Sequence, residues 1–257
     1  MTIRVEKRDT AEPLWHALPR EREGVVRVEN CVPVHLDGIV KIFHALRGAE
    51  RTWDVWDPAL QRYLPGEGRR EINVAALLPP ASNVPGQRVR WKEVVVTLGL
   101  KWHPEVNGQT LMNACGGVWP VNLDGGVEGR LDQEQLRALV RCISDARATP
   151  TAVASHPVFR CDPMEDWRFY FDLADIEAVR AHPILQYDHG PAEVMATDQT
   201  WFLLQDIDLQ FSLLAAAYDV LDRVLSDPVI EGLRVTGDHR VDYRADTINR
   251  HTLAADR

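Results

Sequence analysis

The chain lacks every short signature that would name a reaction. It has no G-x-x-x-x-G-K-[ST] loop, and the pairs Gly116-Gly117 and Gly125-Gly126 lack the spacing of a dinucleotide fingerprint, so they read as turn residues. It has no G-x-S-x-G elbow, and Ser82, Ser144, Ser155, Ser212 and Ser226 have no glycines beside them to form one. Lysine is scarce, the bases are mostly arginine, and no basic run occurs. Acids outnumber bases 38 to 29, for a net charge of −9, which argues against a surface that tracks nucleic-acid phosphates. Cys31, Cys115, Cys142 and Cys161 show no repeated short spacing, so free, buried thiols are expected. No apolar run approaches the roughly 18 residues of a membrane span. The longest near the C-terminus, Phe211 to Val220, is broken by Ser212 and Asp219. The opening MTIRVEKRDTAEPLW has no apolar core of a signal peptide. These absences set the expectation of a cytoplasmic protein with no cofactor and with neither membrane nor nucleic acid as a partner.

What is present is an ordinary globular composition with 45% apolar and 26% charged residues, long enough for one large domain or two small ones. Proline and glycine recur at short intervals, which predicts many short elements rather than a bundle. Strands are expected at Val25 to Val28, Gly38 to Phe43 and Trp167 to Leu173. In the last, Trp167, Phe169 and Phe171 alternate with Arg168, Tyr170 and Asp172, the pattern of a half-buried strand. Leu131, Leu136, Leu139, Val140 and Ile143 recur at helical spacing behind an Asp132 N-cap. A second helix is expected over Ala215 to Leu225, with Tyr218, Leu221, Val224 and Leu225 on its stripe and Pro228 beyond its end. A third covers Arg90 to Leu98 and stops at Gly99. The run from Thr200 to Leu214 reads as two strands around a turn near Asp206 to Asp208, with a buried helix as the alternative. The fold class that follows is α+β, a mixed, mostly antiparallel sheet with helices packed on one side. The loop from Asn122 to Gly129 is the best boundary. It separates two α+β lobes, 1–125 and 126–257, if the chain is not one continuous domain.

Three segments, Val89 to Glu105, Glu128 to Ile143 and Asp198 to Val235, stand in an order that resembles a group of uncharacterised bacterial proteins. In that group a basic-Trp helix ends in His-Pro-Glu, a Gln-rich helix start follows, and an acid-x-x-Trp strand precedes a closing Asp-Pro. The resemblance implies no particular activity. In general character, acidic and α+β without a catalytic motif, the chain is also similar to immunity proteins of bacterial toxin systems.

Scattered histidines and acids leave some chemistry open. His35, Asp37 and His44 are candidate metal ligands, because strand alternation would put His35 and Asp37 on one face. Turn roles beside Pro33 account for the same residues. His103 and Glu105 form a candidate general acid/base pair, or else a histidine satisfied at a helix C-terminus. Asp206 and Asp208 suit solvent exposure around an inward Ile207, and Asp188-His189-Gly190 and Gly237-Asp238-His239 suit turns. Eight tryptophans are the least ordinary feature. Most are expected in the core, but Trp53, Asp54, Trp56 and Asp57 form an acidic aromatic segment suited to a basic protein partner. Two functions follow from these residues: a non-enzymatic protein-binding module, immunity or regulatory in kind, or a small hydrolase or metal-assisted enzyme with a His/Asp/Glu site.

Overall fold

The structure, a computed structural model, describes residues 3–8, 25–48, 55–57, 62–64, 86–117, 119–120, 123–125, 129–146, 151–158, 165–185, 191–205 and 209–249. The chain divides into two compact units. One is Met1–His44 with Val127–Asp242, and the other is Ala45–Gly126 with Tyr243–Arg257. The units are interleaved along the sequence, each made of two segments. The reason is that the strand Gly38–Phe43 pairs with strands from the far end of the sequence.

The first unit is built on an eight-stranded sheet. Its strands are β1 (Arg4–Arg8), β2 (Gly38–Phe43), β8 (Thr151–Val158), β9 (Glu165–Asp172), β10 (Glu193–Ala196), β11 (Trp201–Leu204), β12 (Phe211–Ala216) and β13 (Gly232–Val235), in the order β1-β9-β8-β10-β11-β12-β2-β13. Every neighbouring pair is antiparallel. The fold is α+β, and its main sheet is fully antiparallel rather than mixed. Among the described residues no helix is long and apolar enough to cross a membrane.

Strand alternation divides the sheet into two buried faces. Val40 and Ile42, Ala152 and Ala154, Phe169 and Phe171, Trp201 and Leu203, and Leu214 and Ala216 point to one side. There they meet the helices Gln133–Ala146, Ile176–Arg180 and Tyr218–Ser226. Ile39, Val153, Met195, Phe202, Phe211, Leu213 and Ala215 point to the other side and pack with Val28, Val32 and Val241. Arg168, expected on the mixed outer face of β9, is buried on that second face. Beside it on the same face, β8 sets Ser155 opposite Arg168 and β10 sets Glu193 opposite Ser155. Further along that face Tyr170 is half-buried and Asp172 exposed, so β9 keeps the half-buried pattern except at Arg168. Lys41 is also buried there, with its Nζ 3.9 Å from the Phe211 ring centroid and 5.0 Å from that of Phe43. The aromatic faces receive the ammonium electrostatically while the long stem packs among apolar neighbours.

The helix over Gln133–Ala146 starts as its sequence requires. Asp132 Oδ1 accepts the Gln135 N–H at 2.8 Å, and Gln135 Oε1 accepts the Asp132 N–H at 3.4 Å. That is a capping box with glutamine at the fourth position. Leu136, Leu139 and Ile143 are then buried against the sheet, each worth about 1.5–3 kcal/mol relative to exposure. The helix over Tyr218–Ser226 begins three residues later than its apolar run, because Ala215 and Ala216 are held in β12. Its buried stripe is Val220, Leu221 and Val224, whereas Tyr218 stands exposed and stacks under the Arg234 guanidinium. The segment Val25 to Val28 is not a strand. It makes an isolated bridge from Arg27 to Arg240 and then a 3-10 turn, Val28–Asn30, whose Asn30 Oδ1 accepts the Arg27 N–H at 2.7 Å.

The second unit contains β3 (Leu46–Gly48), β6 (Arg88–Val89) and β7 (Leu123–Asp124) as a three-stranded antiparallel sheet. A separate two-stranded hairpin pairs β4 (Val55–Asp57) with β5 (Arg62–Leu64). Among its described residues are also the helices α1 (Trp91–Thr97) and α2 (Gly108–Ala114). The first ends at Gly99, whose φ of +73° is the left-handed conformation that glycine adopts without strain. The helices of the first unit, already placed by range, are α3 (Gln133–Ala146), α4 (Ile176–Arg180) and α5 (Tyr218–Ser226).

Leu136→Ala leaves a cavity where α3 meets the sheet and should lower the unfolding free energy by about 2–5 kcal/mol. The shift in urea midpoint reads this directly, and a loss below about 1 kcal/mol contradicts that packing.

Candidate functional site

The richest polar cluster among the described residues lies in the second unit. It forms because two capping patterns share a carboxylate. At the start of α2, Asn107 Oδ1 accepts the Thr110 N–H, and Thr110 Oγ1 accepts the Asn107 N–H, both at 3.1 Å. The Thr110 hydroxyl hydrogen then goes to Asp246 Oδ2 at 2.8 Å. Asp246 begins a helical turn of its own, with Oδ1 accepting the Asn249 N–H at 2.9 Å. Its two remaining donors are Asn249 Nδ2, 2.8 Å from Oδ2, and His103 Nε2, 3.1 Å from Oδ1.

Four donors thus fill the roughly four lone-pair sites that a carboxylate offers. Burial pushes the Asp246 pKa up, but the bonds from His103, Asn249 and Thr110 outweigh it and hold the carboxyl at about 2. The surrounding donors fix the other partners too. Asn249 Oδ1 accepts the Lys101 N–H at 2.9 Å, and its Nδ2 donates its second hydrogen to the Lys101 carbonyl at 3.1 Å. That orientation leaves no hydrogen for His103 Nε2, 3.2 Å away, so the imidazole carries its own proton there and donates it to Asp246. His103 Nδ1 meanwhile accepts the Glu105 backbone N–H at 3.3 Å.

His103 and Glu105 are therefore adjacent, but through a backbone bond. Both ring nitrogens are engaged, so the imidazole is oriented and spent. The arrangement clamps Lys101–Thr110 to the chain around Asp246 and Asn249. Asp246 was not among the residues singled out from sequence. Its signal is the pattern Asp-x-x-Asn, a helix cap like Asn107-x-x-Thr110.

The proposed metal ligands are not brought together. His35 and Asp37 lie exposed in the turn before β2, while His44 is buried just past its other end. Along an extended strand that separation is about 20 Å. His44 instead bonds Ser212 through Nε2 at 2.9 Å. Among the described residues no group of three His, Cys, Asp or Glu side chains could hold a metal ion.

No family model, curated protein or solved structure matches the chain. Its own geometry is what remains to read. Trp56 and Asp57 lie in β4, where the register sets Trp56 opposite Tyr63 and Asp57 opposite Arg62 of β5. Trp53 and Asp54 lie outside the described residues, as do Asp206 to Asp208, Asp188 to Gly190 and Cys161. Trp91 and Trp201 are core residues, and Trp91 meets Trp119 edge to face at 6.4 Å. Cys31, Cys115 and Cys142 are free thiols, and burial raises Cys115 to about 11, which keeps it protonated and unreactive. Gly237, Asp238 and His239 form the expected turn, with His239 Nδ1 accepting the Thr236 N–H at 2.9 Å.

Asp246 has its pKa depressed in the folded state, from an ordinary 3.8 to about 2. Its contribution to stability is present in full above pH about 4 and is lost as the pH falls towards 2. Asp246→Asn should cost about 1–3 kcal/mol at pH 7, the penalty of donors left facing an amide. Its gap from the wild-type chain should close as denaturation curves are taken to pH 2, and a gap independent of pH contradicts the ionised clamp.

Proposed function

We propose that the chain is a non-enzymatic, cytoplasmic protein-binding module, of the immunity or regulatory kind, that engages a basic protein partner through the β4–β5 hairpin. The observation that carries this reading is the register of that hairpin. Along the backbone of a two-stranded sheet it sets Trp56 opposite Tyr63 and Asp57 opposite Arg62. Tryptophan and tyrosine are the side chains that most often anchor protein interfaces. The net charge of −9 favours fast encounter with a basic surface and disfavours nucleic acid.

The histidines also support binding over hydrolysis or metal chemistry. His103 has both ring nitrogens in structural bonds, and His44 is taken up by Ser212 in the core. A general base needs a nitrogen within reach of substrate.

The product of the gene adjacent to this one is the partner to test, by titration calorimetry against the purified chain. Trp56→Ala should weaken binding about 30-fold, the loss of roughly 2 kcal/mol typical of an aromatic anchor. Trp119→Phe should bind as the wild type does. Equal affinity of Trp56→Ala and wild type, or no binding at all, defeats the proposal.

A further inference from the structure

Four buried polar side chains gather on the helix-facing side of the large sheet, where β11, β12 and β2 lie side by side. Ser212 and His44 are each 1% exposed and share the 2.9 Å bond between Oγ and Nε2. Gln135 reaches down from α3, and both ends of its amide are used. Its Nε2 donates to the Phe43 carbonyl at 2.8 Å, and its Oε1 accepts the Asp132 N–H. Gln205 is the fourth. Its backbone N–H is bonded to the Ala192 carbonyl at 2.7 Å, but its side-chain Nε2 is buried and has no hydrogen-bond partner.

The register says what lies next to that amide. Leu204 pairs with Leu213, so the next residue along β11, Gln205, falls beside Ser212. Both follow the alternation of Leu203 and Leu214 and so face the helices. Opposite side chains on one face of a ladder stand about 5 Å apart at Cβ. The amide is 2% exposed, and burying such a donor without an acceptor costs about 1–3 kcal/mol. Folded proteins meet buried donors with a protein group or a bound molecule. Ser212 can supply a second donor at the same place. With the proton on His44 Nε2, that nitrogen donates to Ser212 Oγ and leaves the hydroxyl hydrogen to turn away from the imidazole.

We propose that Gln205, Ser212 and His44 form a buried site for one oxygen acceptor, a carboxylate or carbonyl oxygen of a small molecule. A retained water offers the same acceptor chemistry. The site is independent of the hairpin and of any partner bound there.

Gln205→Met keeps the length of the side chain and removes the donor. If the amide serves an acceptor, the melting temperature should fall by about 2–10 °C. If the amide is merely orphaned, the same change relieves it, and an unchanged or raised melting temperature overturns the proposal. Poor packing of the thioether also lowers stability, so the Gln205 side-chain amide of the wild-type chain is read by NMR as well. A downfield proton shift that grows with added sodium acetate supports a carboxylate occupant. A downfield shift present without acetate, with cross-relaxation to water, supports water. An amide at the position of a free side chain under both conditions overturns the site.

Discussion

The large sheet depends on where β2 sits. Six residues from the first fifth of the chain lie between β12 and β13, which come from near its end. Loop closure over that distance costs little more than over half of it, because the entropy grows only with the logarithm of length. The pairing is also strict in register. Ile39, Lys41 and Phe43 face one side of the sheet, and Val40 and Ile42 face the other. A slip of one residue would exchange those sets. It would drive the Lys41 ammonium under α3 and α5 and away from the Phe211 ring of β12 that receives it. The segment Ala45 to Gly126, which belongs to the second unit, is inserted between β2 and the remaining strands of the sheet.

What could be read in advance was local. α3 declares itself by spacing and by Asp132 three residues before Gln135. α1 ends at a glycine that takes positive φ, and β11 and β12 pair as the two strands expected within Thr200 to Leu214. Val25 to Val28 misleads because β-branched composition describes a residue's fit to a strand and not the existence of a partner strand. Here Val25 and Arg27 make isolated bridges, that of Arg27 to Arg240, and among the described residues they join no ladder. Tyr218 misleads because its ring lies over Gly38 at the end of β2 and still leaves more than half of the residue exposed. Arg168 looks solvated because an arginine on alternate positions usually is, yet it is 7% exposed.

The cluster around Asp246 illustrates the same limit at a site. His103 was visible as a candidate, but its partner is 143 residues away, and the pattern that places it is an ordinary helix cap. Once Asp246 is in view, the chemistry changes sense. A histidine beside a carboxylate suggests an oriented base, yet here the carboxylate is saturated and the second ring nitrogen is occupied by the next turn of backbone. The same residues that would serve catalysis in an open cleft serve as a clamp when every lone pair is used.

If the chain acts through the β4–β5 hairpin, as proposed, the cluster around His103 and Asp246 holds the fold and takes no part in binding. Hydrogen exchange of the full chain, free and saturated with the adjacent gene's product, separates these roles at single segments. The account predicts slowed exchange at 55–57 and 62–64, with 101–110 and 246–249 unchanged. Slowed exchange confined to 101–110 and 246–249, with the hairpin unaffected, would contradict it.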